Sequence, residues 1–432
     1  MSIQTSSDDG ALIEPARVPA PGVFRRNPDF TKLYIAALVS YAGDWFTTVA
    51  LLGLVLAKTG RPVLAGLMMT TSVLPYAIVS PFAGVVADRV DRRRLMIAAD
   101  CARALTALGF LAARSAGTIW IAFVAMGLLS AFSPFFEPAS NAALPNLVRP
   151  GDLARANVLM GSAWGTMLAV GAALGGLVAA TLGRNAAFIA DAASFAVSAA
   201  LIASIRGRFR EAPVATEHPS IFADLHEAAR FARHEPRVLS ILVVKCGFGM
   251  SAGAIAMLSI FAVKVFHRGD TGIGILMGAR GVGALIGPFL FRRWFLRGRD
   301  ERLLTAIGVA FAIYAVSYSL FAGAPNIWLA AAAVVAAHIG GGANWTISTY
   351  GLQRFTPDHV RGRIFSFDYA LITVTMAASF SLSGYVAGHV NPRVVQLGIG
   401  LMALTWACLW TVWSRRLLAR HAAAAALSST SP

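Results

Sequence analysis

The stretch GVVADRVDRRR, residues 84–94, carries six charged side chains in the seven residues from Asp88 to Arg94. An apolar run, residues 63–87, leads into it, and a second apolar run follows. An apolar helix of about 20 residues is long enough to cross the ~30 Å hydrocarbon core of a bilayer. We therefore interpret the stretch as a short charged turn between two membrane-spanning helices.

The composition of the whole chain agrees with this interpretation. Of its 432 residues, 57% are hydrophobic and 13% are charged, whereas a soluble domain carries about 25% charged residues. The charges occur in short groups, separated by apolar segments of spanning length. The sequence therefore predicts an all-α membrane protein that crosses the bilayer many times.

Twelve apolar segments of spanning length can be counted along the chain. They lie near residues 33–57, 63–87, 95–113, 117–141, 157–181, 186–205, 238–263, 272–291, 303–322, 327–351, 364–389 and 394–414. The longest polar interval falls between the sixth and the seventh segment, so the chain divides into two halves of six helices. Within it, IFADLHEAARFARHEPR (221–237) has apolar residues at helical spacing, which predicts an amphipathic helix on the membrane surface.

This pattern predicts five regions. They are a cytoplasmic N-terminal tail (1–30), an N-terminal six-helix bundle (31–205), a cytoplasmic connector (206–237), a C-terminal six-helix bundle (238–415) and a cytoplasmic C-terminal tail (416–432).

The distribution of basic residues predicts the orientation in the membrane. With both ends of the chain in the cytoplasm, 27 of the 37 Lys and Arg residues fall in cytoplasmic segments, 7 in outer loops and 3 within spans. Cytoplasmic loops are rich in Lys and Arg, and the same bias explains the net charge of +16 without nucleic-acid binding. We therefore expect a multi-pass membrane protein of the bacterial inner membrane, with both termini in the cytoplasm.

The two halves repeat related motifs. LPNLVRPGDLARAN (144–157) follows the fourth predicted span, and LQRFTPDHVRGRIF (352–365) follows the tenth. The charged turn at residues 84–94 has a counterpart in FRRWFLRGRDER (291–302), after the eighth span. Repeated halves around a central site are typical of secondary transporters.

In this setting, residues 84–94 resemble the signature loop of the major facilitator superfamily. The matching residues are Gly84, Asp88, Arg89, Arg92 and Arg93, while Asp91 stands where the family usually has Gly. The resemblance implies a latch between the halves in the outward-open state, with the Asp against the N-terminus of span eleven, where a helix dipole favours an anion. A plain charged stop between two helices is the alternative.

Four further segments resemble the enterobactin-exporter-like and macrolide-efflux-like branch of this superfamily. They are RNPDFTKLYIAALVSYAGDWFTTVAL (26–51), ADRVDRRRLMIAAD (87–100), FFEPASNAALPNLV (135–148) and VRGRIFSF (360–367). The resemblance implies a proton-coupled exporter of amphipathic small molecules, such as drugs, siderophores or secondary metabolites, that works by alternating access.

The fifth predicted span contains GAALGG (171–176), which resembles the Gly-rich motif of exporters. Gly171, Gly175 and Gly176 match that motif, and Ala172 replaces its Pro. Close helix packing by small residues is the alternative explanation. The basic residue that proton-coupled members carry on span four is absent from this chain's fourth span.

Ionisable side chains within spans are candidate site residues, since each costs about 2.5–3.5 kcal/mol at the membrane centre. Asp44, beside Trp45, is expected to be a proton or cation-substrate site in the central cavity, because a carboxyl group in apolar surroundings takes up a proton more readily. A structural partner for a buried cation is the alternative. Arg280 is expected to neutralise Asp44 across the cavity, to bind an anionic substrate, or simply to pack. His338 is a further cavity candidate, with a helix contact as its alternative.

Other ionisable residues lie closer to the ends of the predicted spans. Glu137 and Asp368 are expected to be cytoplasmic latches, because Arg-rich loops are near them in the sequence. Asp100 and Arg103 share one helix face, so we expect them to pair with each other or with the charged turn. Lys245 is expected to extend its ammonium group toward the membrane surface.

Several other functions are excluded or disfavoured. The three cysteines form no CxxC pair and no His cluster has metal-ligand spacing, so we expect no metal site. GMSAG (249–253) matches the Gly-x-Ser-x-Gly pattern of hydrolases but lies in an apolar span and not at a strand-to-helix elbow, and no phosphate-binding G-x-x-x-x-G-K-[S/T] occurs. We therefore expect no enzymatic activity.

The expected partners follow from this reading. They are a small amphipathic substrate and membrane lipid, with no nucleic acid and no cofactor. We expect an ion gradient, that of protons, to be the energy source. We expect the chain to act as a monomer. Two alternative functions remain open: a lipid or lysophospholipid flippase of the same fold, and a non-transporting membrane scaffold or sensor.

Overall fold

A computed structural model describes residues 22–207, 209, 221–296 and 300–429. Throughout these residues the regular structure is helical, and none of them lies in a β-strand. Twelve helical segments in this part of the chain are long and apolar enough to cross a membrane. The predicted all-α fold, with twelve transmembrane helices in two six-helix halves, is therefore confirmed.

The spans are numbered in chain order. They are Pro28–Thr59 (1), Pro62–Arg89 (2), Arg92–Gly109 (3), Ile119–Phe132 with Glu137–Leu147 (4), Leu153–Thr181 (5), Arg184–Ala203 (6), Pro236–Met250 with Gly253–Ile260 (7), Gly269–Leu296 (8), Asp300–Ala322 (9), Ile327–Phe355 (10), Asp358–Val386 (11) and Pro392–Ser429 (12). Among the described residues, two α-helices lie outside the spans, Val23–Arg26 and Ile221–His234. We call the end of the bundle at which span 1 begins the terminal end, and the opposite end the distal end.

Local cap chemistry explains several helix ends. Asp91 precedes span 3, and its carboxylate accepts a hydrogen bond of 2.8 Å from the backbone N–H of Arg94. An Asp at this position caps a helix N-terminus well, so the departure from the family's Gly has a local structural role. Gly60 ends span 1 with a φ of 62°, a left-handed conformation that glycine adopts without strain.

The two halves approach each other most closely in the distal half of the bundle. Span 5 packs on span 8, and span 2 packs on span 11. A Cβ atom on Gly176 would lie 2.7 Å from the Cα atom of Gly274, and a Cβ on Gly384 would lie 2.9 Å from the Cα of Gly66. Only glycine permits such close backbone contact, so these residues hold the distal end of the interface shut.

The same spans separate toward the terminal end. A Cβ atom on Gly165 of span 5 would still contact Leu285 of span 8 at 3.1 Å, but one turn closer to the terminal end Gly161 has nothing within 4 Å. On span 2, Ile78 and Phe82 are 59% and 58% exposed. The halves therefore pack tightly toward the distal end and loosely toward the terminal end, and we interpret the loose end as the opening of a cleft between them.

The helix Ile221–His234 contacts spans 7 and 11. Ala228 and Ala232 on its apolar face are buried, and Glu227 accepts a hydrogen bond of 2.7 Å from Arg363 of span 11. This part of the helix packs on protein, which differs from the expected position on the membrane surface. The rest of the predicted connector and tails, residues 1–21, 208, 210–220 and 430–432, lies outside the described residues.

Candidate functional site

Asp44 of span 1 is paired with Arg103 of span 3. One guanidinium nitrogen, Nη2, lies 2.9 Å from each carboxylate oxygen of Asp44. The other, Nη1, donates to Ser40 at 3.2 Å and to Asp100 at 3.4 Å. The expected pairing of Asp100 with Arg103 is confirmed. The expected neutralisation of Asp44 by Arg280 is not found, because Asp44 has its cation within its own half.

Two more carboxyl groups complete this cluster, and both are fully buried. Asp191 of span 6 accepts a hydrogen bond of 2.6 Å from Thr47, and its Oδ1 atom has no partner among the described residues. Asp100 likewise has one oxygen, Oδ2, that accepts no hydrogen bond from the residues that the structure describes. Asp44 and Asp100 therefore bond to the same guanidinium, and Asp191 lies near it without an ion pair to it among the described residues. The guanidinium packs on the ring of Phe195 at 4.0 Å.

Glu137 lies at a break in span 4, where the second helix of that span begins. Its two carboxylate oxygens accept hydrogen bonds from Tyr41 at 3.0 Å and from Tyr76 at 2.6 Å. The ring of Tyr76 packs on Tyr369 of span 11, with centroids 5.9 Å apart. Ten residues separate Glu137 from Leu147 at the end of the span, or about 15 Å. Glu137 is therefore in the middle of the bundle, and the expected position beside the loop arginines is wrong.

Asp368 of span 11 is bonded to Lys245 of span 7. The two charged atoms are 2.5 Å apart and both side chains are buried, and the ammonium lies 5.0 Å from the ring centroid of Trp345. Lys245 therefore does not extend to the membrane surface as expected. Asp368 pairs inside the C-terminal half and not with a loop arginine.

His338 is enclosed between spans 9 and 10, and only 4% of it is exposed. Its Nε2 atom is 2.8 Å from the hydroxyl of Tyr318, and the ring of Tyr314 packs against it edge-on at 5.8 Å. This environment corresponds to the helix-contact alternative and not to a place in the open cleft.

Arg280 of span 8 and Trp45 of span 1 bring the two halves together near mid-membrane. The guanidinium carbon lies 5.8 Å from the Trp45 ring centroid, and Trp164 of span 5 lies beside Trp45 with ring centroids 6.0 Å apart. Among the residues described, none forms a hydrogen bond or an ion pair with Arg280, and its Nε atom is buried.

The charged turn between spans 2 and 3 contacts its own half. Arg92 and Arg93 donate to backbone carbonyls near the ends of spans 4 and 6, while Arg89 is exposed. The side-chain surroundings of Gly84 and Asp88 lie outside the described part of the structure. The latch role implied by the family resemblance therefore stays a prediction.

The glycines of span 5 face two different helices. A Cβ atom on Gly175 would lie 2.8 Å from the Cα of Phe46, and one on Gly171 would lie 3.3 Å from the Cα of Ala42, both in span 1. Gly176 faces span 8 instead. The motif therefore allows close packing of span 5 both within its half and across the interface.

An ion pair at the distal end joins the two halves. Nε of Arg184, at the start of span 6, lies 2.9 Å from a carboxylate oxygen of Asp270, at the start of span 8. No feature of the sequence pointed to this pair, since both residues lie in ordinary polar turns. Because it bridges the halves at their distal ends, it stabilises closure of that end.

We expect Arg184→Gln to loosen this closure. A partly exposed ion pair contributes up to about 1 kcal/mol, so the population of distally open molecules should rise about five-fold. Spin labels at Thr181 and Arg268, in a protein whose native cysteines are replaced, would report longer distances. Arg61→Gln, an exposed distal arginine, serves as the control, and identical distance distributions for both variants would contradict the expectation.

Twelve spans in two six-helix halves, with ionisable groups at mid-membrane and a cleft between the halves, define the class of secondary membrane transporters. The chain matches the family described as transmembrane secretion effector over residues 22–430. It therefore belongs to that family and is a transporter of the major facilitator superfamily.

Comparisons with individual proteins agree with this assignment. The chain is 27% identical to the multidrug efflux pump Tap of Mycolicibacterium fortuitum, over 88% of this chain and 94% of Tap. It is 21% identical to macrolide efflux protein A of Streptococcus pyogenes, over 84% and 90% of the two chains. A solved bacterial homologue of the human lysosomal transporter Spinster, inward-facing and unoccupied, has the same fold with a TM-score of 0.71, 14% identity and coverage of 91% and 98%.

Proposed function

We propose that the protein exports small amphipathic molecules by alternating access and that proton movement drives the export. The observation that carries the proposal is the cleft between the halves, which is closed at the distal end by Gly176, Gly274 and the Arg184–Asp270 pair. Trp45 and Glu137 lie near mid-membrane beside it and provide both apolar and charged contacts. Such a mixed surface suits amphipathic solutes.

The charge distribution supports a cytoplasmic position for the terminal end. With 27 basic residues on that side and 7 on the other, the positive-inside rule orients the chain, and the cleft opens to the cytoplasm. An exporter loads its substrate from that side. We further propose that the protein lies in a bacterial inner membrane, works as a monomer surrounded by lipid, and transports its substrate without a cofactor and without chemical change.

The relatives support the direction of transport and the type of substrate. One relative is named a multidrug efflux pump and the other a macrolide efflux protein, and both align along most of their length. We extend to this chain only what they share, the export of drug-like small molecules.

The carboxyl cluster of the N-terminal half supports proton coupling. If Asp44, Asp100 and Asp191 were all ionised, Arg103 would balance only one of three buried negative charges, which is unfavourable in apolar surroundings. The Asp44 side chain is 28% exposed, whereas Asp100 and Asp191 are fully buried. Asp44 is therefore the group that exchanges protons with cavity water, and protonating it frees Arg103 to pair with the other carboxylates.

The proposal predicts energy-dependent drug accumulation in vesicles. Inside-out membrane vesicles containing the protein should take up a fluorescent amphipathic dye when the interior is acidified, and vesicles without the protein should not. Expression in a drug-sensitive host should raise the tolerated concentration of the same compound. Movement of labelled lipid without dye uptake would favour the flippase, and movement of neither would favour a scaffold.

A further inference from the structure

We propose that Arg280 binds the anionic group of the transported molecule, a carboxylate or phosphate, while the adjoining apolar part rests on Trp45. The inference names the substrate chemistry of the export site and so rests on the proposed function. Substrates of this kind are amphipathic anions or zwitterions.

Charge pairing within the spans singles out Arg280. The other basic residues that the structure describes deep within the bundle, Arg103 and Lys245, each have a carboxylate partner within ion-pair distance. For Arg280 the described residues offer the face of Trp45 and two neutral tyrosines, Tyr314 and Tyr318, but no carboxylate. An uncompensated buried cation is unfavourable, and an aromatic face compensates it only partly. The site therefore favours an anion from outside the chain.

The groups that face Arg280 supply no anion of their own. Tyr314 and Tyr318 of span 9 are near His338 of span 10, and the Tyr318 hydroxyl is used in the bond to that histidine. Across the interface, both oxygens of Asp44 are taken by Arg103. In this conformation a bound solute would not compete with a carboxylate of the protein.

The position of Arg280 fits a substrate site. It follows Gly269, the distal start of span 8, by eleven residues, or about 16 Å, which is near mid-membrane. Its Nε atom is buried without a partner, but the side chain as a whole is partly exposed, so hydrogen-bond donors remain accessible. A guanidinium presents its donors in a planar fork that matches a carboxylate or phosphate. Trp45, which is 9% exposed, and its neighbour Trp164, which is 44% exposed, add aromatic surface from the opposite half.

Binding of three matched probes to the purified full-length protein tests the inference. Phenylacetate, phenethylamine and 2-phenylethanol share an aromatic body and differ in charge. Phenylacetate should quench tryptophan fluorescence and raise the thermal unfolding temperature at the lowest concentration. In Arg280→Gln its affinity should fall about 10- to 100-fold, as expected for loss of a charge-assisted hydrogen bond, while Arg280→Lys should retain part of it. Arg61→Gln is the matched surface control.

Specific results would overturn the inference. Equal binding of the three probes would do so, as would unchanged phenylacetate affinity in a folded Arg280→Gln variant. Titrations of phenylacetate in chloride buffer and in gluconate buffer show whether the site prefers an organic anion or a small inorganic one. Complete displacement of phenylacetate by equimolar chloride would mean that Arg280 binds inorganic anions only. Binding without dye export would contradict the proposed function, and export with Arg280-independent binding would contradict this site alone.

Discussion

Arg103→Met is expected to destabilise the N-terminal half severely. The substitution keeps an unbranched apolar side chain against Phe195 but removes the only cation that the described residues place beside Asp44, Asp100 and Asp191. Removing one partner of a buried ion pair costs about 3–5 kcal/mol, because the remaining charge stays buried without compensation. The thermal unfolding temperature of the detergent-purified protein, or its yield if little folds, measures the effect.

A double variant distinguishes the charge effect from a packing effect. If the unpaired carboxylate is the cause, Arg103→Met with Asp44→Asn should recover part of the lost stability, because a neutral amide has no charge to compensate. Arg61→Met, at an exposed site, should change little. Wild-type stability in Arg103→Met would show that the cluster does not depend on its arginine. The excess of carboxyl groups over one guanidinium would then no longer support proton uptake by Asp44.

The fold could be predicted because the bilayer sets a fixed length for every span. Runs of about 20 apolar residues must cross it as helices, since no other open structure satisfies its backbone there. The predicted segments 63–87 and 327–351 therefore agree with Pro62–Arg89 and Ile327–Phe355 within a few residues. The break in span 4 had a visible signal as well, because Pro134 and Pro138 cannot donate backbone hydrogen bonds.

The partners of the site residues could not be predicted in the same way. Hydrophobicity does not specify how each helix is rotated about its axis. The sequence therefore does not predict that Asp44 pairs with Arg103 and not with Arg280. The sequence identifies Lys245 and Asp368 as ionisable residues within spans, but it does not indicate that the two side chains face each other. The tyrosines that bind Glu137 gave no signal, because Tyr is common in membrane helices.

Apart from the Arg184–Asp270 pair at the distal end, the paired and unpaired charges within the spans have different places in the bundle. Arg103 with Asp44 and Lys245 with Asp368 lie within single halves, so each pair would move as a unit in the proposed alternating-access cycle. Glu137 and Arg280 lack an ionic partner among the described residues and lie near the interface between the halves. Groups at that interface can bind a solute in one state and release it in another, because their surroundings change as the halves move.

The proposed proton-coupling role of Asp44 predicts that Asp44→Asn changes the driving force of export while the protein still folds. Asp44→Asn removes the exchangeable proton but keeps the size of the side chain and one hydrogen-bond acceptor for Arg103. Coupling requires that one group bind the proton more tightly in one state than in the other, and an amide cannot do so. The variant should still bind neutral substrates, but its export should no longer respond to a pH gradient.

Uptake of a fluorescent substrate into inside-out vesicles, with and without an imposed pH gradient, measures this response. Wild-type vesicles should lose uptake when the gradient is dissipated, whereas Asp44→Asn vesicles should take up substrate at the low, gradient-independent rate in both conditions. Asp44→Glu should recover part of the response, since it restores a carboxyl group, and Glu227→Gln, on the connector helix, should behave as wild type.

A full gradient response in Asp44→Asn would make Asp44 a structural partner of Arg103. The proton site would then be Glu137, whose carboxylate is the other one near the cleft without a cation among the described residues, ahead of Asp368 and His338, which are held by Lys245 and Tyr318.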